Sequence, residues 1–352
     1  MEIDFNFFVK LFIIIILFFL QKKTFNVIKK IDINKIKEVC DTNYERIKGE
    51  YYRQLKKEHN KNEIKELNLN ISSELKVALC VIAKQENIYI REFINYYKKL
   101  GIKKIFLYDN NELEGEKFEG LLDLEIKSGF VEIINFRGFI KPQRKVYDDC
   151  YSINKNFFDW IGFYDVDEYL YIENFTNINQ FLSLPQFNNC SSILINWKNF
   201  GDSENIKYEP KPLQKRFKIP FYFSKKNCHG IYLYSAAKSI IRGGLNIIWE
   251  HFPHFLKSSN ICYPNGTKVV HPLSPPQYST AYIKHYITKS TEEYAIKIIK
   301  GTANSNVILN KTSILDLIKN YYFLFNKLTI KKIRIFERIL KFRIRKSLKH
   351  KF

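Results

Sequence analysis

The chain has 352 residues, 45% of them apolar, with 30 Phe, 23 Tyr and a formal charge of +21. That apolar content excludes intrinsic disorder, and ten Pro, 13 Gly and no short repeat exclude a collagen-like chain or a solenoid. The charge excludes less, because a tail of 26 residues (327–352) carries +10 of it and residues 22–70 carry +5, leaving only +7 over 71–326.

From the amino end, Phe5–Leu20 is apolar apart from Lys10 and is followed by Lys22 and Lys23. A helix over these residues spans about 24 Å, a little short of a hydrocarbon core of roughly 30 Å, and flanking lysines can snorkel. No small-residue cleavage site follows, so residues 1–21 are expected to be an uncleaved signal-anchor rather than a removed signal peptide or a soluble helix. Glu2 and Asp4 before the span and lysines after it run against a lumenal domain by the positive-inside rule, and that conflict stays open. Residues 22–74, rich in Lys, Asn, Glu and Ile, read as a stem. Asn-x-Ser/Thr sites at Asn70, Asn174, Asn189, Asn265 and Asn310 lend weak support to a secretory location.

Val77–Ala83 (VALCVIA) predicts a strand buried on both faces. Glu86 to Leu100 has apolar or aromatic residues at Ile90, Phe93, Ile94 and Tyr97, a helical spacing closed by Gly101. Lys104–Tyr108 is a second strand, ending in Asp109, Asn110 and Asn111, and Phe130–Phe136 a third. Gln143–Phe157 reads as a helix, and Trp160–Tyr164 as a fourth strand running into Asp165-Val166-Asp167-Glu168. This alternation predicts a parallel α/β sheet with helices on its faces, in which ligands bind beyond the carboxyl ends of strands. Asp109 and the Asp165/Asp167 pair both fall at such ends. Residues i and i+2 of an extended chain face the same side, so both carboxylates can meet one Mn²⁺ or Mg²⁺ ion. Such an ion would neutralise a diphosphate leaving group. A solvated acidic turn is the alternative.

The segments CVIAKQENIYIREFINYYKKLGIKKIFLYDNN, WIGFYDVDEYL, KSIIRGG and KHYITKSTEEYAIKIIKG resemble those of the family 92 glycosyltransferases, in the same order, from about Leu75 to Gly301. The resemblance implies a GT-A fold, a Rossmann-like sheet flanked by helices. It also implies a metal held by the DxD pair, and transfer of a hexose, often galactose, from a nucleotide-sugar (a UDP-sugar) to a glycan or glycoprotein acceptor. It puts Asp167 on the metal, and Asp165 toward the ribose or metal. Lys84, Glu86, Asn87, Asp109 and Asn110 match its nucleotide pocket. Arg144 faces either the diphosphate or solvent. GT-A enzymes commonly add a late histidine as metal ligand, and His254 and His285 are the strongest positions for it. Beside His285, Lys289 and Ser290 either cradle phosphate or, for Ser290, cap the helix that begins there.

An inverting reaction needs a carboxylate to take the acceptor proton. Asp202 and Glu204, in NWKNFGDSE after the strand SSILI, are the candidates, although the family often has a small residue where Asp202 stands. Lys215 likewise replaces a carboxylate in a segment resembling the family's ERF. The tail 327–352 alternates cationic and apolar residues and predicts a basic amphipathic helix, set on an anionic membrane or against the catalytic domain. No nucleic-acid motif accompanies it. Among six cysteines without a zinc-site spacing, Cys80 inside its apolar strand is expected to be a buried thiol. The whole reads as an anchor (1–21), a stem (22–74), a lumenal glycosyltransferase domain (75–301) of the Golgi or endoplasmic reticulum and a basic tail (302–352). Its rival is a GT-A-like domain without catalysis, or a basic membrane-binding protein.

Overall fold

The strand VALCVIA has no polar side chain, and in the computed structural model all seven residues of β1 (Val77–Ala83) are buried. Residues 74–140, 142–220, 237–251, 255–257, 260–269 and 276–300, with 332 and 335, are described. The expected anchor, the stem, His254 and nearly all of the basic tail lie outside them. Among the described residues no helix is long and apolar enough to cross a membrane.

Side chains alternate across β1: Val77, Leu79 and Val81 enter one apolar cluster, Ala78, Cys80 and Ile82 the other. Helix α1 (Ile90–Leu100) covers the first face with Ile90, Phe93, Ile94 and Tyr97. Burying each such side chain stabilises by about 1.5–3 kcal/mol. The helix begins later than Glu86 because Glu86 to Tyr89 form a turn, in which the Tyr89 N–H donates to the Glu86 carbonyl at 2.9 Å. Gly101 ends it at φ +94°, a left-handed position where a Cβ would also strike the Asn177 side chain.

Next come β2 (Lys104–Asp109), the short α2 (Asp123–Lys127) and β3 (Val131–Asn135). Helix α3 (Gln143–Asn154) packs Val146, Tyr147 and Cys150 on the face of the sheet opposite α1. Here the expectation for Cys80 fails. Its Sγ is bonded to Cys150, tying β1 to α3, because the inward side of β1 and the α3 stripe bring the two Cα atoms within 6.2 Å. A second disulfide joins Cys190 and Cys262.

The chain continues through β4 (Trp160–Phe163), β5 (Glu168–Ile172), α4 (Ile178–Leu182), β6 (Ser192–Asn199), α5 (Leu213–Arg216) and β7 (Ala237–Arg242). After the β8 (Trp249–His251) and β9 (Phe255–Leu256) pair come β10 (Ile261–Cys262), β11 (Ala281–His285) and α6 (Thr291–Lys300). The main sheet runs β3-β2-β1-β4-β7-β6-β11-β5, with β10 also paired to β6. Its first four strands are parallel, while β7 is antiparallel to β4 and β6, and β5 to β11. The sheet is therefore mixed. After β3 the chain crosses back to lay β4 on the other side of β1, and the acidic motif leaves β4 at that reversal of strand order, where open α/β sheets place their ligands.

Candidate active site

Asp165 and Asp167 leave β4 in a tight turn closed by the Glu168 N–H donating to the Asp165 carbonyl at 3.0 Å. The two carboxylates meet different partners. Asp165 Oδ2 accepts from Lys238 Nζ at 2.9 Å, and Oδ1 accepts from the Tyr147 hydroxyl at 3.3 Å. Glu168, wholly buried, takes the Asp165 N–H on Oε2 at 3.0 Å and lies 3.5 Å from the same Lys238. Burial pushes the Glu168 carboxyl well up, against the pull of Lys238. Burial alone would push Lys238 down, but Asp165 and Glu168 hold its ammonium well above the ordinary lysine value.

Asp167 faces the carboxyl end of β11. Its Oδ2 accepts from Lys297 Nζ on α6 at 2.7 Å, and its Oδ1 lies 3.9 Å from His285 Nε2. Burial would raise this carboxyl, yet Lys297, His285 and Lys289 outweigh it and hold Asp167 well below the usual range. Burial lowers His285 to about 3, so its imidazole is neutral. Its Nδ1 pairs with the Asn199 side-chain amide at 2.9 Å, which orients the ring so that Nε2 faces Asp167. Trp197 holds the ring with its own, 4.3 Å between centroids. Asn199 ends β6 and His285 ends β11, which run parallel with these two residues in register.

Lys289 sits at φ +54° and Gln85 at φ +53°, both left-handed and costing of order 1 kcal/mol or more each. Between them Lys289 Nζ reaches Glu86 Oε2 at 3.3 Å and lies 4.1 Å from the Tyr89 ring centre. The fold thus brings together two residues 203 positions apart that were expected at one nucleotide pocket. Ser290 takes its capping alternative. Its Oγ accepts from the Glu293 N–H at 3.3 Å, and its own N–H donates to Glu293 Oε2 at 3.2 Å.

Other expected nucleotide residues build the loop itself. Asp109 is 1% exposed, with Oδ1 accepting from both Asn111 nitrogens and Oδ2 from Arg137 Nη1 at 3.1 Å. Asn110 gives its amide to the Phe136 and Phe139 carbonyls, Lys84 pairs with Glu112 and Asn87 with Lys117. Arg144 is 59% exposed and pairs with Asp148 at 3.5 Å. The α3 residue that reaches the motif is Tyr147, one turn along the same face.

Asp202 is buried beyond β6 in a turn whose next two residues, Ser203 and Glu204, are both left-handed at φ +46° and +63°. Its Oδ1 accepts the Glu204 N–H at 3.0 Å, and its Oδ2 pairs at 2.6 Å with Lys332, which is 1% exposed. Glu204 is 66% exposed and lies 3.4 Å from Lys332. At Lys332, then, the basic tail lies against the catalytic domain. Among the described residues no three His, Cys, Asp or Glu side chains converge on one metal position.

Lys238, Lys297 and Asn199 were not singled out from sequence, whereas Tyr147, with Gln143 and Arg144, was expected on the helix leading toward the acidic motif. Lys238 had a signal: a lone cation inside the apolar run AAKSII must find a buried carboxylate. Lys297 had none beyond lying on the helix after His285.

The sequence profile of glycosyltransferase family 92 matches residues 74–321. A family 92 protein of Arabidopsis thaliana is 30% identical over 122 residues, 35% of this chain. One of Ricinus communis is 21% identical over 137 residues, 38% of this chain. These alignments span only 20% and 24% of the relatives' own lengths. Among solved structures, residues 1–349 of S. aureus TarS superpose with a TM-score of 0.35 at 12% identity, over 70% of each chain. GalNAc-T7 with UDP, GalNAc and Mn²⁺ superposes at 0.30 and 11%, over 66% of this chain and 50% of that one. With the profile covering most of the sequence and the whole acidic motif, the chain belongs to glycosyltransferase family 92.

Proposed function

We propose that the chain transfers a hexose from a UDP-sugar to a glycan acceptor, with a divalent metal and inversion at the anomeric carbon, on a GT-A-type sheet. The observation that carries this reading is the pairing of an ionised Asp167 with a neutral His285 imidazole beside it, at the strand-order reversal.

The residues present fit a metal. Carboxylate oxygen and imidazole nitrogen suit Mn²⁺, and the Lys297 ammonium on Asp167 Oδ2 marks where a cation is stable. Asp167 and His285 would hold the ion, leaving its other positions to phosphate oxygens. When bound, the ion neutralises charge on the departing diphosphate.

The protein's own groups do the rest. Asp165, fixed by Lys238 and Tyr147, lies toward the ribose. Lys289 offers a cation to the diphosphate from the wall it shares with Glu86 and Tyr89. Asp202 takes the acceptor proton as that oxygen bonds to C1 and the bond from C1 to the diphosphate oxygen breaks. Lys332 orients the Asp202 carboxylate. Two disulfides and exposed sequons at Asn174, Asn189 and Asn265 support an oxidising, secretory compartment for the domain. In that reading Phe5–Leu20 is its membrane tether and the Golgi or endoplasmic reticulum lumen its place.

The test is a panel of nucleotide-sugars incubated with the full chain, Mn²⁺ and mixed glycan acceptors, read by mass spectrometry. A glycan heavier by one hexose is the expected product. Intact donors and acceptors throughout would overturn the reading.

A further inference from the structure

A cleft of about 490 Å³ lies beside the candidate active site, between α1 and the segment 208–212. Its size suits a small ligand. Tyr208 forms one wall, 39% exposed, with the Arg216 guanidinium packed 5.1 Å from its ring centre. Arg216 is itself fixed. It is 6% exposed, donates to the Tyr89 hydroxyl at 3.0 Å and forms a two-point ion pair with Glu293. The Tyr208 backbone N–H donates to Glu292 Oε2 at 2.9 Å, and the Leu213 N–H donates to both oxygens of Glu92 at 3.0 and 3.1 Å. With Pro210 and Pro212 between those anchors, the segment is bolted to α6 at one end and to α1 at the other. The exposed aromatic ring is therefore held in place without a ligand, which lowers the ordering cost of binding one.

The facing wall is α1 and the turn that leads into it. Ile88 is 61% exposed there, and Tyr96 presents a half-buried ring whose hydroxyl is engaged by the Leu170 carbonyl. Asn95 and Lys99 line the same wall and point no hydrogen bond at any described residue. A fixed aromatic plane, a second aromatic edge and an exposed amide with both donor and acceptor groups match one chemistry well. A pyranose ring offers an apolar face of C–H groups and a rim of hydroxyls that both give and accept hydrogen bonds.

We infer that this cleft is a glycan-binding subsite that receives the sugar residues of the acceptor, stacking one pyranose on Tyr208 and reading its hydroxyls with Asn95. It rests on the glycosyltransferase reading for its place in the reaction, though not for the binding itself. Its position fits that place. Tyr89 belongs to the cleft wall and also carries Lys289, whose charge is felt by Asp167. The segment 208–212 continues the same loop that holds Asp202. A chain of sugars lying in the cleft would thus run toward the space between the donor loop and the acceptor carboxylate. Neutral oligosaccharides are the occupant, since Lys211 already pairs with Glu209 at 2.9 Å and the two other charged lining residues, Glu92 and Lys99, are opposite in sign.

The test is direct binding to the full chain without donor, by saturation-transfer NMR and calorimetry, using N-acetyllactosamine, chitotriose and mannotriose. At least one should bind. Tyr208→Ala should weaken it about tenfold, the equivalent of one lost stacking contact. Tyr208→Phe, which keeps the ring, should bind as the natural chain does, and Asn95→Ala, a surface change on α1, should weaken binding severalfold. Equal binding by Tyr208→Ala, or no binding of any of the three sugars, would overturn the inference. UDP with Mn²⁺ titrated into the same unmodified protein reads the donor side separately. Glycan binding without UDP binding keeps this cleft and removes the glycosyltransferase reading, and the reverse removes the cleft alone.

Discussion

Lys297 Nζ sits 2.7 Å from Asp167 Oδ2, so the carboxylate expected to hold a metal already holds a cation. The lysine comes from α6, 130 residues further along, and is 33% exposed. A metal ion held by Asp167 would compete with that ammonium, which also donates to the Ile287 carbonyl at 3.1 Å.

Lys297→Met should therefore change two quantities in opposite directions. Without a competitor, Mn²⁺ should bind the donor-free protein about threefold more tightly, the modest figure reflecting an ion pair whose lysine is partly exposed. Turnover should fall, because a phosphate-neutralising cation is gone. Manganese titration by EPR and steady-state kinetics measure the two effects. Metal affinity unchanged alongside unchanged turnover would show that Lys297 only balances charge.

The pairing of Lys332 with Asp202 gives the second prediction. Both side chains are buried, and removing one partner of such a pair costs about 3–5 kcal/mol. Deleting residues 327–352 should thus lower the unfolding midpoint and cut activity, and Lys332→Met should do the same to a large part. Both effects follow from the contact that the tail makes with the domain at Lys332 and Asp202.

Disulfide loss is the third. Cys80 and Cys150 close a loop of 70 residues, for which chain entropy gives about 4 kcal/mol. The double variant Cys80→Ala, Cys150→Ala should lower the urea midpoint accordingly, and a reducing agent should do the same to the natural chain. A midpoint insensitive to both would show that the thiols are not bonded in solution.

Stability should also fall in mild acid. His285 has a folded-state value of about 3 against an ordinary 6.5, so between those limits the unfolded chain takes up a proton that the folded chain refuses. The contribution of this residue is full above 6.5 and is lost as the pH falls. From pH 7 to pH 5 the loss is about 2 kcal/mol. Asp167, held low when folded, adds to the loss only at more acidic pH, below the ordinary aspartate value. His285→Gln should flatten the dependence between pH 7 and pH 5, as read by denaturant midpoints. A parallel slope in the variant would contradict the burial of a neutral imidazole.

The parallel half of the sheet was legible in the sequence because its strands are buried on both faces and announce themselves as apolar runs. VALCVIA became β1 without a residue's error, and α1 followed its helical stripe to Gly101. The acidic pair was legible because it breaks such a run at a strand end. What lay beyond reach was everything assembled across distance. The antiparallel insertion of β7 between β4 and β6 carries Lys238 to Asp165 across 73 residues, and no local pattern encodes that. Cys80 misled for the same reason: a cysteine in an apolar strand looks alike whether free or bonded until its partner on α3 is placed. The partners of Asp109 were hidden for a similar reason: Arg137 and Asn111 reach this strand-end carboxylate from the loops around it.

The most direct test of the account is turnover of a UDP-hexose by the full chain with and without Mn²⁺, beside the Asp167→Asn variant. We expect nucleoside diphosphate release that needs the metal and falls at least a thousandfold in the variant, with its melting curve still cooperative. Release that is indifferent to metal and to Asp167, or no release from any donor, would contradict it.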